Sequence, residues 1–210
     1  MITRLSVPVT MLMIFCISSA SAQIKVGFKA GIHSTTAHVL TPEGSNPSSD
    51  PSVGFHIGAQ MRIPFEEKIF FLPQFQYAFK QFNIKYNNTD TASQELSIHY
   101  LEIPILLSYE PKPDQKGWFF QFGPSLSIAM KGNQKTMSAG GSTGDSAMKF
   151  AFNHYGRYEI NLVANVGYKI SRKIAVSAGY AYGLGSIVDD DYGPDIKPRM
   201  ATLSVHYWLK

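Results

Sequence analysis

Six histidines are the side chains best suited to acid–base work: His33, His38, His56, His99, His154 and His206. A hydrolase that cleaves acyl esters needs an imidazole touching a serine, with a carboxylate nearby to orient it. On one extended strand the first demand reads as His-x-Ser, because residues two apart share a face. None of the six is followed two positions on by serine. His99 has Glu102 close by, and His154 has Glu159. Both pairs are expected at the outer ends of strands, as hydrogen-bonded or wet polar residues and not as catalytic groups. Asp189, Asp190, Asp191 and Asp195 offer oxygens to a cation but lack the ligand spacing of a calcium loop, so a solvated loop is expected. Gly140-Gly-Ser-Thr-Gly144 has no following Lys-Ser/Thr and reads as a loop tip, not a phosphate cradle. The expectation is therefore no catalytic residue, no cofactor and no metal.

The elements that must carry these residues are strands. Residues 1–22 read first as a secretory signal: Arg4, the apolar stretch Leu5 to Ile17, and the small-residue site Ala20-Ser21-Ala22 before Gln23. Thirteen apolar residues fall short of the ~20 that a membrane helix requires. The single cysteine, Cys16, lies inside this segment, which removes disulfides, thiolate metal sites and thiol nucleophiles from the rest. Losing Arg4 lowers the full chain's charge of +4 by one, too mild a balance to argue for nucleic acid. The domain is expected over 23–210.

Period-two alternation then recurs in eight places: 24–32, 53–63, 71–80, 100–109, 118–129, 158–170, 174–184 and 201–209. The apolar faces are rich in Phe, Tyr, Trp, Ile and Leu and carry no charge. The opposite faces carry Gly27, Gly31, Gly54, Gly58, Gly123, Gly167, Gly179, Gly183, Ser125, Ser127 and Ser177. Charges there are few: Lys25, Lys29, Arg62, Lys80, Glu102, Glu159 and Lys169. A face in water would hold more Lys and Glu and less Gly. Small residues with a few paired charges suit the narrow interior of an eight-stranded barrel, and the aromatic faces suit lipid. Charged residues make up 16% of the chain against roughly 25% in soluble domains, in the same direction. Connections alternate long (33–52, 83–97, 131–157, 185–199) and short (64–68, 110–117, 171–173), the rhythm of external loops and periplasmic turns. The fold expected is all-β: an eight-stranded antiparallel up-and-down transmembrane β-barrel, monomeric, in the bacterial outer membrane.

Two further expectations follow. Lys80 and Glu102 occupy matching ends of consecutive strands and should meet inside the barrel as an ion pair. Asp90-Thr91-Ala92 and Asp145-Ser146-Ala147 resemble a short bacterial O-glycosylation motif, with Thr91 and Ser146 as acceptors in external loops.

Tyr100-Leu-Glu-Ile-Pro-Ile-Leu-Leu107, Phe122-Gly-Pro-Ser125 and Tyr180-Ala-Tyr-Gly-Leu184 occur in this order on the fourth, fifth and seventh strands. The series resembles the PorT-like outer-membrane β-barrel family over roughly residues 24–209. The resemblance implies an eight-stranded barrel, with a founding member implicated in secreting proteins across the outer membrane. The function expected is non-enzymatic contact with outer-membrane lipid and with secretion or surface-assembly proteins, through external loops or periplasmic turns. The alternatives are a lipid-modifying enzyme with a rim active site and a soluble lipocalin-like carrier. A passive pore is disfavoured by the lumen size.

Overall fold

The computed structural model describes residues 24–42, 47–86, 91–151, 154–189 and 193–209, with Thr91 described by its backbone alone. The leader expected over 1–22 lies outside them, as do Asp90, Asp190 and Asp191.

Ten strands form one antiparallel sheet that closes on itself. They are β1 (Lys25–Leu40), β2 (Ser48–Asp50), β3 (Ser52–Pro64), β4 (Ile69–Lys85), β5 (Thr91–Tyr109), β6 (Gly117–Ser138), β7 (Thr143–Ala147), β8 (Tyr158–Lys169), β9 (Ile174–Gly183) and β10 (Asp195–Trp208). Neighbours pair in the circle β1–β3–β4–β5–β6–β8–β9–β10, and β10 returns to β1 in register from Gly27↔Trp208 to Leu40↔Asp195. That ring is the expected eight-stranded barrel. The short β2 pairs with the top of β4, and β7 folds back on the top of β6.

Burial is inverted relative to a soluble protein. Phe28, Ile32, Phe55, Ile57, Ile105, Leu107, Phe120, Phe122, Leu203 and Val205 are exposed, while Lys29, His56, Gln60, Arg62, Gln76, Lys80, Glu102 and Glu159 are buried. The inward glycines have a direct reason. A Cβ at Gly54 would strike the His33 ring, and one at Gly167 would strike Phe119. Large lumen side chains fit only because the wall opposite them is bare backbone.

The strands run further outward than the alternation suggested. The segments expected as loops at 33–52, 83–97, 131–157 and 185–199 contain the upper parts of β1, β4, β5, β6 and β10. The cause is a reversal of polarity along the long strands. On β4 the outward residue changes from Phe79 to Gln81, and the inward one from Lys80 to Phe82. On β1, Ile32 outward gives way to Ser34 and Thr36, while Ala37 and Val39 turn inward. On β10, Lys197 and Arg199 lie outward above Leu203, with Ile196 inward. On these strands the reversal falls at matching heights, the level at which lipid would give way to water.

Above that height the barrel has an ordinary apolar core: Val39, Phe82, Ile84, Leu96, Ile98, Tyr100, Met148, Ile187 and Ile196. Because β8 and β9 are short, the segments 148–151, 154–157 and 184–189 fold over the mouth. Tyr155 bridges to Phe150 and to Val188, and Ile187 N–H donates to Ile196 O at 2.9 Å. The Tyr155 hydroxyl donates to Gln134 Oε1 (2.8 Å) and accepts from Gln94 Nε2 (3.3 Å). Burial, and then the neighbouring Tyr86, push the Tyr155 phenol up to about 12. A phenol raised by folding stabilises the closed cap below its ordinary value of ~10 and loses that contribution as pH climbs through the raised value. The difference in phenolate absorbance between wild type and Tyr155→Phe should therefore have its midpoint near pH 12. A midpoint near 10 would mean that Tyr155 faces open water.

Candidate functional site

Three layers of side chains fill the barrel below the cap, and together they decide what it can do. The outermost is a charge cluster. Lys80 Nζ lies 2.8 Å from Glu102 Oε1 and 2.7 Å from Glu159 Oε1. Glu102 also accepts from Gln76 Nε2 (2.8 Å) and Ser127 Oγ (3.0 Å), and Glu159 from Asn161 Nδ2 (2.6 Å). The ammonium sits 4.5 Å from the centre of the Tyr100 ring. Lys80 and Glu102 are adjacent because β4 and β5 pair Gln76↔Glu102 and Lys80↔Ile98. Glu159 arrives from β8, on the other side of β6. No sequence spacing reveals that, because the contact crosses the lumen.

The middle layer holds imidazoles and amides. The rings of His33 and His56 stack with centroids 5.9 Å apart, and His33 Nε2 contacts Phe79 O at 3.1 Å. His56 Nε2 lies 3.0 Å from Ser204 Oγ. Ser177 Oγ lies 2.9 Å from His206 Nε2, whose Nδ1 lies 3.0 Å from Gln60 Oε1. The order serine–imidazole–acceptor matches a nucleophile with its base, but an amide stands where a carboxylate would steady the imidazolium. All three side chains are buried, and the cavity beside this layer, lined by Lys29, His33, His56 and Glu102 among others, measures about 30 Å³. That is room for a water or two, not for an acyl chain.

The innermost layer closes the periplasmic end. Arg62 makes a two-pronged contact with Glu110 (Nε–Oε1 3.0 Å, Nη2–Oε2 2.9 Å), and Lys169 Nζ joins the same carboxylate at 2.9 Å. Lys169 also donates to Lys112 O at 2.7 Å, and Lys25 pairs with Asp114. These bonds draw the turn 110–116 across the opening. Asp114 adopts φ 57°, a left-handed conformation that Asp tolerates. The bonded Lys25, and then Arg62, hold its carboxyl below the usual range.

The histidine–carboxylate pairs considered for rim chemistry are not built. His99 faces outward, where its Nδ1 meets the Tyr77 hydroxyl, whereas Glu102 faces the lumen. Glu159, the neighbour considered for His154, is spent on Lys80 and Asn161. Two features read as loops have their own geometry. Gly140–Ser142 turns the β6–β7 hairpin, with Gly141 at φ 84° and Ser138 N–H donating to Ser142 O at 2.9 Å. Asp195 binds Lys197 at 2.9 Å. Ser146 lies on β7, exposed along its whole length, and Thr91 opens β5.

Residues 18–189 match the family model described as an outer membrane protein beta-barrel domain. No curated protein sequence matches the chain. Among solved structures the chain is similar to Ail, the attachment invasion locus protein of Yersinia pestis, at 13% identity and TM-score 0.46, over 88% of this chain and 98% of that one. Neisserial surface protein A is similar at 11% identity and TM-score 0.49, over 87% and 96%. OprG of Pseudomonas aeruginosa is similar at 11% identity and TM-score 0.41, over 89% and 94%. With a family match over most of its length and a closed ring of eight strands that turns its apolar face outward, the chain belongs to the outer membrane protein beta-barrel domain family.

Proposed function

We propose that this outer-membrane barrel is a non-enzymatic, closed contact platform, accessory to protein secretion or surface assembly. Partners would meet its external cap or its periplasmic turns. The observation that carries the reading is the filled lumen among the described residues: ion pairs lock one end, an apolar cap covers the other, and the cavity at the histidine layer between them measures about 30 Å³. A solute path and a substrate pocket both need more room. The β6–β7 hairpin offers a contact surface of its own, since every residue of β7 is exposed and, among the described residues, only its β6 edge is paired. The link to secretion rests on the PorT-like resemblance of the three ordered motifs. On this reading the chain is exported through a leader cleaved before Gln23, works as a monomer, and carries glycans on Thr91 and Ser146 when its host has the matching transferase.

The test has two arms. Reconstituted in a planar bilayer, the barrel should pass no steady current, and an affinity tag at Gly140 should recover the same envelope proteins from repeated membrane extracts. Stable ohmic conductance would make it a pore. A change in lipid A acylation on deletion, restored by wild type but not by His99→Ala or His154→Ala, would make it the rim enzyme instead.

A further inference from the structure

Two turns at the periplasmic end are basic on their exposed side. Glu110-Pro-Lys-Pro-Asp-Gln-Lys116 joins β5 to β6, and Ile170-Ser-Arg-Lys173 joins β8 to β9. They lie side by side, because β6 and β8 pair from Gly117↔Lys169 onward. Gln115 of the first turn and Ser171 and Arg172 of the second line one notch of about 20 Å³. Both turns are braced. Pro111 and Pro113 restrict the first, and Lys169 Nζ holds its Lys112 O at 2.7 Å. In the second, Ser171 Oγ accepts from Lys173 N–H (3.2 Å) and Ile174 N–H (3.0 Å).

The carboxylates of these turns are taken up within the plug: Glu110 by Arg62 and Lys169, Asp114 by Lys25 and Arg62. The cations Lys112, Lys116, Arg172 and Lys173 are left exposed. Among the described residues none of the four has an acidic partner. The third turn adds Glu66 and Glu67 but also Lys68, which leaves this end cationic. The outer end is built differently. There Lys85 pairs with Asp50, Lys197 with Asp195, and Lys135 stands in register with Glu95 and Asp145. Like charges fixed on adjoining turns raise a positive potential that an anionic partner relieves.

We propose that this periplasmic face docks an acid-rich segment of a periplasmic protein, with Lys112, Lys116, Arg172 and Lys173 as its contacts. The inference rests on the contact-platform reading and gives its periplasmic partner a chemistry. Position favours a protein over inner-leaflet headgroups. Arg62 and Lys169 are buried lumen residues, and their bonds to Glu110 and to Lys112 O hold the first turn over the barrel opening, inside the ring of lipid. A cation on that turn meets what approaches the opening from the periplasm.

The test uses the folded barrel in phosphatidylcholine nanodiscs, which leave both ends open to solution. The probe is a short labelled Glu-rich peptide, read by fluorescence anisotropy, with its Gln counterpart as the uncharged control. The Glu peptide should bind more tightly, and high salt should remove the difference. Lys112→Gln, Lys116→Gln, Arg172→Gln and Lys173→Gln should each weaken it by about threefold, the size of one exposed ion pair. All four together should bring the Glu peptide down to the affinity of the Gln peptide. Lys112→Arg should keep wild-type binding, and Lys131→Gln with Lys135→Gln, at the other end of β6, should leave it unchanged. Each variant should keep the unheated gel mobility of the wild type, since Lys112 serves the plug through its backbone carbonyl alone. Equal binding of the two peptides would overturn the proposal, as would an equal loss in the external pair of changes. If phosphatidylglycerol mixed into the disc erases the difference between wild type and the four-site variant, the cations belong to headgroups and the proposal fails. Displacement of the peptide by soluble cell-wall fragments would likewise replace the protein with peptidoglycan. Recovery of envelope proteins through the Gly140 tag depends on none of these results, so the docking can fail while the contact platform stands.

Discussion

Lys80→Met should be the most damaging single charge removal in the lumen, costing about 3–5 kcal/mol of barrel stability. Lys80 is the one cation bonded to both Glu102 and Glu159. Without it, two buried carboxylates face each other with no counter-charge in contact. Glu102→Gln should cost less, because Lys80 keeps Glu159, and the new amide can still accept from Ser127. The double change should cost less than the sum of the two, and adding Glu159→Gln should recover more, since no buried charge of the cluster then remains. Urea titrations of the folded gel band in detergent give each value. Strictly additive losses would mean that the three groups do not form one unit.

Ile105→Arg should cost roughly 2–4 kcal/mol, the penalty for a guanidinium on the lipid face near the midplane. Ile105 is 44% exposed and lies between Leu101, below the polarity reversal, and Tyr109 at the periplasmic end of β5. The same change at Ser97, on the same outward face but above the reversal, should cost almost nothing. The contrast matters more than either value. In a protein with water on every side, both positions would accept arginine, whereas a belt of lipid accepts it only at Ser97. An unaffected Ile105→Arg would put water against the middle of β5.

Much of this architecture is legible in the chain, because period-two alternation and one chemical rule, apolar outward, hold over the membrane-spanning part of every strand. The same rule hides the outer part. Phe82 and Ile84 continue the alternation of β4 without a break, but their phase is opposite in meaning: the buried even positions Gln74, Gln76 and Lys80 meet polar partners in the lumen, whereas Phe82 and Ile84 meet an apolar core. A single-phase pattern ends there and leaves the rest as loop. The charge cluster shows a second limit. Lys80 and Glu102 sit on neighbouring strands whose register the short separation suggests, while Glu159 reaches them across the lumen from 57 residues beyond Glu102, and only the closed ring brings it there. The bulge at Met130, where the register between β5 and β6 slips by one residue, is a third case. One extra residue in a strand leaves no mark in composition, and its effect is visible only as two consecutive exposed side chains.

Single-cysteine scanning along β5, with a fluorophore at each position and quenching by brominated lipid in reconstituted vesicles, shows which face of the strand meets lipid. Cys16, the one native cysteine, is replaced by serine in the chain used for labelling. Strong quenching is expected at Leu101, Ile103, Ile105 and Leu107, none at Glu102 or Leu106, and none at Glu95 or Ser97 above the polarity reversal. Quenching at the even positions, or equal quenching from Glu95 to Leu107, would contradict a closed barrel whose odd face meets lipid only below His99.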